Sequence, residues 1–205
     1  GPQHNNCSGK HAGFLTTARH FGEETAGYTK SGHPVQQRLK ILLSELGDID
    51  LRCTERGMDG CGIPVIGMPL DALALAMARM AAPETMPDRR RVAAKQIFSA
   101  MTTYPKMVRG TDGFDTVAIR AGEGRFVTKT GAEGVHIAII PELKLGIALK
   151  VEDGNGRASQ VAIAALLDHV GVINSTARHR LSSLIAPPVL NAAGSKVGEI
   201  RLAKT

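Results

Sequence analysis

The chain has no tryptophan, two tyrosines and five phenylalanines, so only 3% of its 205 residues are aromatic. Its interior must therefore be aliphatic, drawn from Leu, Ile, Val, Ala and Met. The same scarcity limits what the net charge of +6 can mean. The one basic run, Arg89-Arg90-Arg91, carries no interleaved aromatics on which bases could stack, so no nucleic-acid partner is expected. No stretch approaches 18 consecutive apolar residues, which excludes a membrane-spanning helix and a membrane partner of that kind. Cysteine is scarce too: Cys7, Cys53 and Cys61 make an odd number, with no C-x-x-C pair, and no signal peptide is expected. That pattern argues against a disulfide framework and for a reducing, cytoplasmic setting in which thiols serve chemistry or metal. Internal repeats and low-complexity tracts are also missing, and 205 residues with 43% hydrophobic content suit a single domain over 1–205.

What is present divides by position. Apolar residues recur at helical spacing over 34–46, 69–82, from Asp88 to about Ala100, and over 157–170. Pro34 and Pro69 start the first two, which Gly47 and Pro83 end, Gly171 ends the last, and Asp88 is read as a cap. A further helix starts near Lys10. Strands are expected at 115–121, 135–140, 145–151 and 197–202, which are short, β-branched and bounded by Gly or Pro. The four residues Pro141 to Lys144 are too few for a parallel crossover, so the second and third of these form an antiparallel hairpin. The class that follows is α+β, a mainly antiparallel sheet flanked by helices.

Reactive side chains crowd the opening. From His4 to His11 there are two histidines, two asparagines, a cysteine, a serine and a lysine. A second thiol, Cys61, lies 54 residues after Cys7 in the run MDGCGIP, beside Asp59. Zinc favours thiolates and imidazoles, so Cys7, Cys61 and His11 suit it, although isolated cysteines also serve as small buried hydrophobes. The run KTGAEGVH at 129–136 places a lysine, a small hydroxyl residue and a glycine ahead of a strand, as serine acylases do. The run VEDGNGRAS at 151–159 reads as a turn and a helix start capped by Asp153 or Asn155.

Four of these blocks, HNNCSGKHAGFL at 4–15, DGCGIPV at 59–65, KTGAEGV at 129–135 and EDGNGRA at 152–158, together resemble the rhizobial-type, or class 3, L-asparaginases. The resemblance implies a fold related to serine β-lactamases and glutaminases, and hydrolysis of L-asparagine to aspartate and ammonia. It implies zinc held by Cys7, Lys10 and Cys61, and a catalytic Lys129 paired with a serine. It places Asn6, His11, Asp59, Gly131, Glu133 and Gly134 at the substrate or around the metal, in a homodimer. The family's nucleophile stands in a Ser-x-x-Lys sequence, and this chain contains none. The chain therefore reads as the C-terminal part of such an enzyme, lacking the N-terminal segment that carries the nucleophile. Gly113 also stands where an arginine is expected. Other readings kept open are another serine acylase, glutaminase or β-lactam-reactive, and a non-catalytic metal- or small-molecule-binding scaffold.

Overall fold

The computed structural model describes residues 1, 3 and 5–203. It divides into two compact units, Gly1–Ala72 and Leu73–Thr205. His4, part of the crowded opening, lies outside the described residues. No helix among the described residues is long and apolar enough to cross a membrane.

The first unit holds helix α1 (Ser8–His20), helix α2 (Pro34–Gly47) and a hairpin of strands β1 (Arg56–Met58) and β2 (Pro64–Ile66). Helix α2 starts as its sequence dictates. Proline occupies the first turn, where no N–H is needed, and the His33 ring accepts the Val35 N–H at 3.2 Å. It ends at Asp48, whose left-handed φ of 53° closes the last turn. Helix α1 begins directly after Cys7, with the preceding turn tied by the Cys7 N–H donating to Asn5 Oδ1 at 2.8 Å. In the hairpin Gly57 faces Val65. Its tip closes through the Asp59 N–H donating to the Ile63 carbonyl at 2.9 Å and the Gly62 N–H donating to the Asp59 carbonyl at 2.8 Å.

Helix α3 (Leu70–Ala81) carries the boundary, and the second unit continues with α4 (Asp88–Thr103), α5 (Lys106–Arg109) and α6 (Phe114–Gly122). Strands β3 (Val127–Thr130), β4 (Val135–Ile140) and β5 (Leu145–Lys150) form an antiparallel sheet in that order. Helices α7 (Gly156–His169), α8 (Ser175–Arg180) and α9 (Ser182–Ile185) follow, then a second hairpin of β6 (Pro188–Leu190) and β7 (Lys196–Glu199). Alternation along β4 sends its residues to opposite faces. Ala138 and Ile140 join Phe114, Phe126, Ile163 and Leu167 in the main core, while Ile139 joins Val127, Ile119 and Ala81 in a smaller one. Helix α3 approaches β5 so closely at Gly146 that an added Cβ would lie 2.1 Å from the Ala78 nitrogen. Only glycine fits there.

The class is α+β and the strands pair antiparallel, in three separate sheets among the described residues. The helices expected over 34–46, 69–82 and 157–170 and the hairpin of 135–140 with 145–151 are all present. The expected strand at 115–121 is instead helix α6. Val117 and Ile119, two residues apart and β-branched, mimic a strand, yet the apolar set Phe114, Ala118 and Ala121 packs into the main core at helical spacing. Asp88 is not the cap of its helix: Pro87 holds that position, and Asp88 opens the first turn and pairs with Arg91 at 2.7 Å. The strand expected at 197–202 is the shorter β7. Asn155 caps α7, accepting the Arg157 N–H at 3.0 Å, while Asp153 accepts the Asn155 N–H.

Candidate functional site

In the first unit, the last residue before α1 and the hairpin tip meet. Thiol and carboxylate atoms of Cys7, Asp59 and Cys61 all lie within 4.8 Å of one another. Lys10, in the first turn of α1, donates from Nζ to Asp59 Oδ2 at 2.9 Å, and the Cys61 thiol lies 3.5 Å from the same oxygen. Asp59 also accepts the Gly60 N–H at 2.7 Å, which fixes the carboxylate in the turn. The donor set suits zinc: two soft thiols, a carboxylate and an amine, on two short segments.

The electrostatics of this cluster are those of an ion pair. The Lys10 hydrogen bond holds the Asp59 carboxyl below its ordinary range, against the opposing effect of burial. Burial acts to lower Lys10, but hydrogen bonds to Asp59 and Cys61 more than reverse it, and the amine is held above its usual value. Burial and the contact with Cys61 push the Cys7 thiol up, partly offset by the Lys10 charge. Without a cation, then, Lys10 is an ammonium and the Cys7 thiol keeps its proton. Burial does not strip the lysine of its proton.

Beside the cluster lies an open hollow of about 770 Å³, lined among others by Asn5, Ser8, His11, Leu15, Tyr28 and Cys61. His11 lies one turn beyond Cys7 and meets Tyr28 with Nδ1 at 2.6 Å from the hydroxyl, the rings edge to face. The segment bearing Tyr28 is anchored by Gln36 of α2, whose Nε2 donates to the Tyr28 carbonyl at 2.8 Å. His11 thus lines the hollow and is not one of the groups that converge within 4.8 Å. Asn6 is exposed in the turn before α1, and its neighbour Asn5 lines the hollow. Cys53 is an exposed free thiol.

The remaining expected residues stand in the second unit. Lys129 is on β3, a strand absent from the sequence reading, and its Nζ donates to the Thr130 carbonyl at 2.6 Å. Gly131, Glu133 and Gly134 make the turn into β4. The Gly131 N–H donates to the Val135 carbonyl at 2.7 Å, and Glu133 and Gly134 take φ of 52° and 70°. A Cβ on Gly134 would lie 2.9 Å from Val151 Cβ, so this turn demands glycine for space as well as conformation.

Behind β3 sits a polar cluster that the sequence reading missed. Asp115 of α6 accepts from the Thr128 hydroxyl at 2.8 Å, and from the Thr130 N–H and hydroxyl at 2.9 and 2.8 Å. Its other contact is His136 Nε2 at 2.8 Å. The side chains of Asp115 and His136 are wholly buried, Phe114 packs edge-on against the His136 ring, and His136 Nδ1 has no hydrogen-bond partner among the described residues. Burial pushes the Asp115 carboxyl up, but the His136 contact and the Thr130 and Thr128 donors outweigh it and hold the group well below the ordinary carboxylate range. His136 had one signal in the sequence, a titratable residue within the apolar run VHIAII. Tyr28 and Asp115 had none, because each acts through contacts distant in the chain.

No curated protein matches the chain. The family model described as L-asparaginase II matches residues 1–202. Its span takes in the thiol, amine and carboxylate cluster of Cys7, Lys10, Asp59 and Cys61 as well as the strand of Lys129, and the chain accordingly belongs to the L-asparaginase II family of amidohydrolases acting on asparagine.

Proposed function

We propose that this protein hydrolyses L-asparagine to L-aspartate and ammonia by a serine–lysine acyl-enzyme route in which Lys129 is the lysine. A zinc site at Cys7, Lys10 and Cys61 completes the reading. The observation that carries it is the convergence of two separate sequence blocks, with the thiols of Cys7 and Cys61 and the carboxylate of Asp59 within 4.8 Å, in a chain of this family.

Cys7 and Cys61 bring soft donors, and Lys10 brings an amine that must lose its proton to ligate. Zinc bound there supplies positive charge that favours thiolates and the neutral amine, and a Lewis-acidic centre for the polar head of the amino acid. Asp59 then changes from counter-ion to acceptor of a hydrogen bond from the neutral amine. Asn6, and His11 with its Tyr28 partner, provide polar contacts for substrate, and Gly131, Glu133 and Gly134 shape the end of the lysine strand.

Lys129 takes the proton of the serine hydroxyl as its oxygen attacks the side-chain amide carbon. The C–N bond breaks, the proton passes to the departing ammonia, and water then cleaves the aspartyl ester with Lys129 again as base. The serine belongs, on this reading, to a Ser-x-x-Lys segment outside these 205 residues. The same reading carries a homodimer in the cytoplasm, the dimer being checked by sedimentation.

Ammonia release by the full-length protein is the test, with L-glutamine and a β-lactam as controls. Turnover of asparagine is expected. Acylation of a serine by the β-lactam with asparagine untouched would overturn the proposal, as would binding of asparagine without hydrolysis.

A further inference from the structure

A hydroxyl, an imidazole and a carboxylate grouped as Thr130, His136 and Asp115 invite comparison with a nucleophilic triad, but the wiring is wrong for one. The Thr130 hydroxyl gives its proton to Asp115 at 2.8 Å and lies 3.5 Å from His136 Nε2. The imidazole spends Nε2 on the carboxylate, and its other nitrogen is buried without a hydrogen-bond partner among the described residues. Thr130 itself is 9% exposed and Asp115 and His136 are fully buried, so no substrate reaches them.

The cluster is oriented toward the strand instead. Side chains alternate along β3, so Thr128 and Thr130 point to one face and Lys129 to the other. Thr130 lies opposite His136 in the register and Thr128 opposite Ala138, which puts all the partners of Asp115 on one face of the sheet. One carboxylate thereby holds the residue before Lys129 and the residue after it. Burying a charge here is costly, and an apolar side chain of similar volume would serve packing as well or better. What the carboxylate adds is direction: three polar contacts to β3, with a fourth to His136 on the neighbouring β4, fix the roll of the strand about its own axis.

We infer that Asp115, backed by His136, is a positioning residue that sets the angle at which the Lys129 amine leaves the sheet. The inference rests on Lys129 being the catalytic lysine. A displaced base loses turnover, not substrate affinity, and an error of about 1 Å in such a group costs on the order of 10²-fold.

The experiment compares Asp115→Asn, Thr128→Val, Thr128→Ser and Lys129→Ala in the full-length enzyme, each checked for folding by circular dichroism. Asp115→Asn places an amide where threonine donors point, and kcat should fall about 10²-fold with KM near wild type. The limb of the pH–rate profile that reports the lysine should move, whereas loss of folded enzyme only scales the profile. Thr128→Val should fall in the same sense by less, and Thr128→Ser, which restores the hydroxyl, should recover most of the loss. If Asp115→Asn does not fold, the Thr128 pair decides. Inactive Lys129→Ala beside wild-type kcat and pH profile in folded Asp115→Asn or Thr128→Val overturns the inference and leaves the role of Lys129 standing. An active Lys129→Ala overturns that role, and the inference with it.

Discussion

The first unit is rich in reactive side chains and poor in core, and the second unit is the reverse. Among the described residues, buried apolar side chains number five in Gly1–Ala72 and twenty-one in Leu73–Thr205. Leu51 is the largest wholly buried one in the first unit, whereas the second buries Phe126, Ile119, Ile140, Ile163, Leu167 and Leu181 to that degree. A region with so little apolar burial depends on other links. In the first unit these are polar: Lys10 with Asp59, Arg38 with Glu23, and Gln36 with the Tyr28 carbonyl. Exposed ion pairs of this sort contribute little each. A metal joining the Cys7 and Cys61 thiols would tie α1 to the hairpin and supply what the core lacks, while the second unit needs no such tie.

Three experiments bear on that contrast, and the largest effect is expected from the metal. Zinc content should vanish in Cys7→Ser and Cys61→Ser and stay intact in Cys53→Ser; equal zinc in all of them would end the idea. Chelation should cost the first unit about 2.7 kcal/mol for zinc held at one hundred times its dissociation constant. Hydrogen exchange should register this in α1 and the 56–66 hairpin and leave β4, β5 and α7 unchanged. Because the Cys7 thiol and the Lys10 ammonium both hold their protons above their ordinary values, zinc affinity should fall as pH is lowered. KM should rise on chelation more than kcat falls.

Next in size is Gly146→Ala. The added methyl meets the backbone of α3 at Ala74 and Ala78, and overpacking of this kind costs about 1–3 kcal/mol. Exchange should quicken in β5 and β4 while zinc binding holds, the mirror image of chelation. A variant as stable as wild type would show that α3 can give way.

The smallest effect is an acid limb belonging to the second unit. The folded Asp115 carboxyl is held below its unfolded value, so the folded state binds its proton less readily. Its contribution to stability is present above an unfolded pKa near 3.8 and is lost as pH falls below that toward the folded value. Melting temperature in that window should fall more steeply for wild type than for Asp115→Asn. Equal slopes would mean the carboxylate is not held as its contacts imply.

Legibility in the sequence followed the same division. Helices bounded by such punctuation, α2 by proline and glycine and α3 by a proline at each end, could be read directly, and so could the β4–β5 hairpin from its four-residue turn. Helix α6 could not, because seven residues with β-branched alternation fit either period until Phe114 and Ala118 have a core to enter. Strands β1 and β2, three residues each, gave no periodicity, so the hairpin presenting Asp59 and Cys61 was invisible although the blocks themselves stood out. Lys10 and Asp59 were each singled out, but not their ion pair, which follows from where the hairpin tip falls beside the first turn of α1. Asp115 went unnoticed because its partners lie 13 to 21 residues away and come together only when α6 packs on the sheet.

The pairing of Tyr28 with His11 has an optical consequence. This chain has no tryptophan and two tyrosines, one in each unit: Tyr28 against the imidazole and Tyr104 at the end of α4, 65% exposed. Ultraviolet emission from these residues is therefore purely phenolic, and a phenol hydrogen-bonded to an imidazole is a dimmer emitter than one in water. Anything that draws His11 away from the hydroxyl, whether an amino acid in the hollow or a cation at the thiols, should brighten Tyr28 and leave Tyr104 as an internal reference.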